Sequence, residues 1–450
     1  MISRNLRKIR RMRRLAAPDA DPMPAPRPVS SGWSSAGAVA AAAFIATWSL
    51  PAVAQTSLPD VVVRSPTVTG RLRPDYAPAG VRLGGFRLDG NVDAGVGYSD
   101  NLAPTAPERL TGIFLDEALR LSLSSDWTRH AVSVTASQAT RRHPDAGSLD
   151  WTDYQVGLGG RYDIGRASSV SLGYSHIRGH LEVTDFDVQQ STLNRPLPFD
   201  SDVFQASGIA AFNRITLGGS AEYRTVRYNG DEAFLPRRTF GDGRDYDRVT
   251  GEATAAYSFL PGRDVMMITR VTDISYLHKG LENRDSLTWE VLAGLRYDLT
   301  GLWGFRVAVG YRQRDYEDPV LRDRSSPAFE GQLLYLPSPL TTVTLTAQRS
   351  IEESTRATNV SYTRTLVRLN VDHELLRNVI VSAELRGERR NYDRPDESVT
   401  DAVGILSAQV FFNRRVSMLA SYQRYERLQA SAGIQEFDQN LFLLRLRFTL

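Results

Sequence analysis

The residues of this chain that could do chemistry are few, and their spacing matches no known catalytic motif. The sequence contains neither a GxSxG nucleophile elbow nor an HExxH zinc motif. It has no cysteine, so disulfides and thiolate metal sites are excluded. Of its six histidines, His176 and His180 would share a face of a strand and so could form a metal pair, but we expect both to be solvent-exposed loop residues. We therefore predict no enzyme activity, no cofactor and no metal.

Three weaker patterns resemble binding or catalytic sites. The stretch 157–165 (GLGGRYDIG) resembles a dinucleotide-binding loop, but no helix follows it. The aspartate-rich segments 186–202 and 241–247 could bind calcium or bridge lipopolysaccharide, although plain solvated loops are the simpler interpretation. His130, beside the serines of SSDW (124–127), is the one candidate for a barrel phospholipase, and we expect it to lie at a short turn.

Polar and charged residues at every second position indicate the fold of the chain. Residues 86–99 read FRLDGNVDAGVGYS, so Phe86, Leu88 and Val92 share one parity while Arg87 and Asp89 share the other. Because side chains of a strand point alternately to its two faces, this pattern predicts one apolar and one charged face. Fourteen residues also exceed the usual length of about 5–6 in soluble proteins, so the apolar face points either into a large core or into lipid.

Segments with charged residues at alternate positions recur to the end of the chain. An arginine on a lipid-facing surface at the bilayer midplane costs roughly 2–4 kcal/mol, so these charges need a water-filled or ion-paired lumen. We expect arginine and glutamate on neighbouring strands to pair across the wall. The predicted lumen-lining residues are Arg87, Asp89, Arg120, Glu222, Arg224, Glu252, Glu290, Arg296, Arg306, Glu330, Arg368, Glu384, Arg386, Arg445 and Arg447.

Alternating segments fill residues 86–450 and predict an all-β fold, a transmembrane antiparallel up-and-down β-barrel of about 18 strands, with 16 as the alternative. Two segments are irregular. In 263–276 the alternate apolar residues are predicted to face lipid, and Arg270 interrupts their series, which consists of Met266, Ile268, Ile274 and Tyr276. In 360–371 the parity changes after Tyr362, which predicts a β-bulge.

Connections alternate between short and long, which is typical of outer-membrane barrels with periplasmic turns and extracellular loops. The short ones lie at 163–166, 213–214, 261–264, 298–301, 337–339, 375–378 and 413–415. The long ones lie at 100–109, 142–150, 178–202, 227–247, 278–286, 315–326, 350–358, 389–400 and 426–437. Tyrosines near the strand ends predict two interfacial girdles: Tyr98, Tyr174, Tyr276 and Tyr311 outside, and Tyr162, Tyr257, Tyr297 and Tyr335 at the periplasmic side.

The N-terminus reads as an export signal. Residues 1–54 combine a basic segment, an apolar run and Ala52-Val53-Ala54, so we predict a signal peptide. They carry eight basic and two acidic side chains, net +6, which leaves −3 of the total +3 for the rest of the chain. The high pI is therefore no argument for binding nucleic acid. Residues 55–85 are predicted to be an extended periplasmic lead-in, and 86–450 an outer-membrane barrel.

Three stretches resemble the β-barrel porin 2 family of outer-membrane proteins. They are 73–102, 121–137 and 367–396, with RPDY, SDNL and SDWTRH as the most specific pieces, and the similarity extends over about 73–450. Some members accompany exopolysaccharide production loci, so the resemblance implies passage of polysaccharide and offers no catalytic residues. The chain end, LFLLRLRFTL, looks like the signal read by the barrel-assembly machinery, although it ends in Leu450 where that signal usually ends in phenylalanine.

These observations predict an outer-membrane channel for hydrophilic solutes, with exopolysaccharide export as its narrower form. The alternative is a non-conducting barrel that acts as an adhesin or structural anchor, whose loops 178–202 and 227–247 bind a partner or fold in and plug the pore. Expected partners are outer-membrane lipid, lipopolysaccharide, the barrel-assembly machinery and a polysaccharide. The first strand must pair with 441–450, because an open sheet edge cannot face lipid.

Overall fold

The computed structural model describes residues 66–104, 108–190, 195–229, 244–279, 283–299, 301–356, 359–394, 396–431 and 434–450. The predicted signal peptide lies outside these residues. A short strand β1 (Val81–Leu83) pairs with the start of β2. The remaining strands are β2 (Phe86–Ser99), β3 (Gly112–Ser125), β4 (Ala131–Arg142), β5 (Trp151–Ile164), β6 (Ser168–Leu181), β7 (Leu197–Phe212), β8 (Ile215–Tyr228), β9 (Tyr246–Leu260), β10 (Arg263–Tyr276), β11 (Ser286–Leu299), β12 (Trp303–Tyr316), β13 (Arg324–Ser338), β14 (Thr341–Glu353), β15 (Ser361–Leu376), β16 (Val379–Asp393), β17 (Asp396–Phe411), β18 (Val416–Ala430) and β19 (Asp438–Thr449).

Strands β2 to β19 form a closed antiparallel barrel of eighteen strands. Each pairs with its neighbours along the chain, and β19 closes the wall by pairing with β2 from Leu441↔Ser99 to Thr449↔Asn91. The predicted all-β, up-and-down barrel is confirmed, with the larger of the two strand counts. Helical structure in the described part is limited to one short helix, α1 (Phe186–Gln190), and a 3-10 turn at Gly147–Leu149. No helix there is long and apolar enough to cross a membrane.

The two faces of the wall differ in exposure as the period-two pattern requires. Val92 and Leu385 leave 51% and 62% of their surface exposed on the outside. Their sequence neighbours of the opposite parity point into the barrel, where Asp93 is buried. An apolar outer band with a polar interior is the arrangement that a bilayer selects, because lipid cannot hydrate charges.

Connections at one end of the barrel, here called the turn end, are short. They occupy 126–130, 165–167, 213–214, 261–262, 300–302, 339–340, 377–378 and 412–415. Gly262 has a φ of +73° in one of them, a conformation that a side chain would disfavour. At the opposite end, the loop end, the connections are longer, with one exception. The predicted long loop at 389–400 is wrong, because β16 continues to Asp393 and β17 begins at Asp396.

The assignment of faces in β10 is also wrong. Met266, Ile268, Ile274 and Tyr276 are buried inside the barrel, Ile268 with none of its surface exposed, whereas Val265, Met267 and Val271 face outward. Both faces of this strand are apolar, so hydrophobicity could not orient it. The interior face packs against small or apolar residues of β9, β11, β12 and β13, namely Ala256, Leu292, Ala308 and Ala328. Tyr276 therefore does not belong to the outer girdle.

The bulge predicted in the segment after Val360 is absent. β15 pairs with β14 in one unbroken register from Thr341↔His373 to Glu353↔Ser361. The only irregularity of β15 lies at its turn end, between Glu374 and Leu376 against β16. Tyr362 keeps the interior parity because its ring packs inside the barrel against Tyr392, with centroids 5.0 Å apart.

Candidate functional site

The barrel interior holds the charged residues singled out from the sequence. All fifteen occupy interior-facing positions of their strands, between outward-facing neighbours such as Val291, Val307 and Leu385. The structure brings most of them into ion pairs, so the interior is a set of charge clusters held by the rigid wall. That they line a conducting lumen stays a prediction.

The largest cluster is centred on Arg270 of β10. Its guanidinium group lies 2.7 Å from Glu252, 2.5 Å from Glu290 and 3.5 Å from Glu330. Arg312 also donates to Glu290. Four of these five side chains are buried, so each charge depends on its neighbours for the solvation that water would otherwise supply. Arg270, which interrupted the sequence pattern, is the residue that satisfies three carboxylates from three other strands.

A second cluster stabilises the seam where the barrel closes. Arg447 donates two hydrogen bonds of 2.7 Å to Asp93, which joins β19 to β2. Arg445 lies 2.5 Å from Asp116 of β3, and Arg141 of β4 lies 3.1 Å from the same carboxylate. Bidentate and shared pairs of this kind are the strong ones, so the seam is fixed by charge as well as by backbone pairing.

The other predicted residues lie in smaller groups. Glu222 lies 2.8 Å from Arg248 and 3.5 Å from Arg224. Near the turn end, the pairs are Arg296–Asp264 (2.6 Å), Arg368–Glu384 (3.4 Å) and Arg87–Asp89 (2.8 Å). Arg120, Arg306 and Arg386 occupy half-buried interior positions.

The loop between β6 and β7 folds into the barrel and reaches its far wall. In the wall of eighteen strands, β16 lies ten strands from β6 in one direction and eight strands in the other. The two strands are therefore nearly opposite, and the loop crosses the barrel close to its diameter. On that far side Asp187 accepts hydrogen bonds from the Ser354 hydroxyl (2.8 Å), the Thr355 amide (2.9 Å) and the Tyr392 hydroxyl (2.7 Å). We call residues 182–190 the crossing loop.

Apolar contacts anchor the crossing loop on both walls. Phe186 is fully buried against Tyr392 (centroids 5.3 Å apart) and Val399, and the Arg356 guanidinium lies 5.0 Å from the centre of its ring. Val188, also fully buried, packs on the near wall with residues of β6 to β10. The short helix thus fills the interior between the two walls instead of projecting into solvent.

Polar contacts complete the docking of the crossing loop. Asp185 pairs with Arg390 at 3.0 Å, and Arg427 donates to Gln189 and to the carbonyl oxygen of Thr184. Burial, together with the nearby charge of Asp185, raises the pKa of the Asp187 carboxyl. The alternative stated from the sequence, that loop 178–202 folds inward, agrees with this position, but nothing in the composition of the loop marks the residues that bind the far wall.

The turn end is also occupied, by residues that precede the barrel. The Val68 amide donates to the Thr342 hydroxyl (2.9 Å), and Val68 is fully buried. Arg73 lies 2.8 Å from Glu374, an interior residue of β15. Tyr76 contacts the ring of Phe411. The segment 66–77 therefore lies within the turn end of the barrel.

A cavity of about 480 Å³ remains beneath the crossing loop. We call it the chamber. Its roof includes Asp185 and Asp187, and its walls come from β7 to β12 and from β14 to β16. The lining is mainly charged and hydroxyl-bearing, so the chamber suits a hydrated solute.

The two histidines predicted to lie in solvent-exposed loops are instead part of β6. His176 is half-buried, and His180 is buried with its Nδ1 2.9 Å from Asp153. Trp151 and Glu182 also contact His180, so the loop end folds over it. His130 accepts a hydrogen bond from the backbone amide of Asp163 and stacks on Tyr162. Within the described ranges, no three His, Cys, Asp or Glu residues are grouped to hold a metal ion.

Comparison with known proteins now identifies the family. The sequence model of the family described as "Putative beta-barrel porin 2" matches residues 73–450. The chain belongs to this family. It is a porin-like outer-membrane β-barrel, as the resemblance in the sequence implied. A comparison with curated proteins gives no match.

Solved structures similar to this one are also outer-membrane barrels. The copper transporter OprC aligns with a TM-score of 0.45 and 11% identity over 82% of this chain and 81% of its own. The outer membrane protein opdK from Pseudomonas aeruginosa aligns with a TM-score of 0.44 and 13% identity over 81% and 99%. The siderophore receptor PirA from Acinetobacter baumannii aligns with a TM-score of 0.43 and 7% identity over 81% and 80%.

Proposed function

We propose that this protein is an outer-membrane channel for small hydrophilic solutes and that the crossing loop closes it in the conformation described here. The observation that carries the proposal is the polar chamber of about 480 Å³ inside an eighteen-stranded wall. A barrel of this size is wide enough for an aqueous passage, and its ion pairs and hydroxyls replace the hydration that a polar solute leaves behind. Transport would be passive.

The crossing loop sets the size of what passes. While it is docked, the chamber accommodates a small molecule and no polymer. Export of an exopolysaccharide, the narrower expectation from the family resemblance, would require the loop to leave its site on the wall between β14 and β18. With the short connections placed in the periplasm, the crossing loop is the extracellular gate and residues 66–77 are the periplasmic one.

Planar-bilayer recording of the refolded protein tests this proposal. We expect stepwise current increments that are interrupted by long closures, since the docked loop has to move before ions pass. A folded barrel that shows no conductance steps at any voltage would contradict the channel and favour the alternative, a non-conducting adhesin or anchor. Heat-modifiability on gels establishes folding independently of conductance.

A further inference from the structure

The chamber separates one surplus positive charge from one surplus negative charge. On the wall formed by β8 and β9, Arg224 and Arg248 share a single carboxylate, Glu222. Glu222 lies 2.8 Å from Arg248 and also accepts from Gln205 at 2.8 Å, whereas Arg224 is 3.5 Å away. Arg224 is buried, so this wall carries one guanidinium group more than its carboxylate neutralises.

Across the chamber, β14 carries the opposite surplus. Glu353 is paired with Arg314, but Glu352 accepts only from the Ser350 hydroxyl among the described side chains. No described cationic nitrogen lies within 4 Å of Glu352. The strongest cationic influence on it comes from Arg364 of β15, which is itself paired with Glu388 at 2.8 Å, and Arg248 acts on it from across the chamber. Both surpluses line the same cavity.

Two opposed and incompletely paired charges in an enclosed cavity recognise a molecule that carries both complementary charges. We infer that the chamber binds a small zwitterion, an α-amino acid or short peptide, whose carboxylate lies on Arg224 and whose ammonium group lies on Glu352. Arginine suits a carboxylate because its planar fork donates two parallel hydrogen bonds. A purely anionic solute would leave the charge of Glu352 without a partner. A neutral sugar would leave both Glu352 and Arg224 without one.

Hydroxyl groups between the two walls fit the same ligand. Tyr228, Tyr246 and Tyr362 line the chamber under the crossing loop, and Thr250 and Thr272 line its floor. They can bind the peptide group of a dipeptide, which has one donor and one acceptor. This inference names the solute class of the channel proposed above and rests on that proposal.

Isothermal titration of the detergent-solubilised full-length protein tests the inference, with glycylglycine as the probe. Two capped analogues accompany it: glycinamide, which lacks the carboxylate, and N-acetylglycine, which lacks the ammonium group. We expect both to bind at least tenfold more weakly than glycylglycine, because each leaves one buried charge without a partner. Equal affinity for either analogue, or tighter binding of glucose, would overturn the assignment.

Variants locate the two charges. Arg224→Gln and Glu352→Gln should each weaken glycylglycine binding at least tenfold. Glu352→Gln should leave N-acetylglycine and glycylglycine nearly equal, because the partner of the ammonium group is gone. Arg82→Gln is the matched control, because its exposed ion pair with Asp126 does not line the chamber and its loss should leave affinity unchanged. If Arg224→Gln fails to fold, the analogue series on the native chain and Glu352→Gln still decide the matter.

Conductance of the same preparations separates the two proposals. A protein that conducts but does not bind glycylglycine contradicts only the zwitterion site. A protein that binds it but never conducts contradicts only the channel.

Discussion

Phe186 offers the most direct way to loosen the crossing loop without touching the barrel wall. Its side chain is fully buried between Tyr392, Val399 and the guanidinium groups of Arg356 and Arg427. Truncation of a buried phenylalanine to alanine costs about 3–5 kcal/mol in a rigid core. If about 3 kcal/mol of this applies to docking, the ratio of undocked to docked loop rises roughly a hundredfold, since 1.4 kcal/mol is a factor of ten.

The assay is open probability of single channels in a planar bilayer. Phe186→Ala should conduct for far longer periods than the native protein, at an unchanged voltage and salt concentration. Phe212→Ala is the matched control: the same truncation is made at a lipid-facing residue of the turn end that is already 60% exposed, so gating should be unaffected. A folded Phe186→Ala protein with the native open probability would refute the role of the loop.

Three further predictions concern the wall, the central cluster and pH. Val92→Arg places a charge in lipid and should impair assembly, whereas Asn91→Arg should be tolerated; equal behaviour in a heat-modifiability gel would show that the faces are wrongly assigned. Arg270→Met strands buried carboxylates and should lower the unfolding free energy by about 3–5 kcal/mol in urea titrations, against little change for the exposed Arg82→Met. Docking raises the pKa of Asp187, so docking is strongest below the ordinary value of 3.8 and weakens as pH rises through the raised pKa. Open probability should therefore fall on acidification, and Asp187→Asn should weaken this dependence; a rise on acidification would contradict the assignment.

The barrel itself could be predicted from the sequence because lipid imposes a strict pattern. A strand such as β2 must show apolar residues on one parity, and loop lengths must alternate between the ends. The pattern assigned the wrong faces to β10, where both faces are apolar. Met266 and Ile268 look like lipid-facing residues, but they pack on Ala308 and Ala328 inside the barrel. Arg270 was the signal that could have corrected this, since a lone arginine fixes the interior face.

Interior contacts between distant segments could not be predicted in the same way. Asp187 meets Ser354 and Thr355 across 167 and 168 residues of sequence, and no local pattern specifies such a pairing. The same limit explains Tyr362 and His180: their burial depends on Tyr392, Asp153 and Trp151, which lie on other strands. Sequence periodicity orients side chains relative to the wall and says nothing of what fills the interior.

Locking the crossing loop tests the central claim most directly. The chain has no native cysteine, so Asp187→Cys with Ser354→Cys introduces a single pair at side chains that now lie 2.8 Å apart. In a planar bilayer, we expect the oxidised protein to be silent and the addition of dithiothreitol to bring on stepwise conductance. Conductance that is the same before and after reduction would contradict a channel closed by this loop.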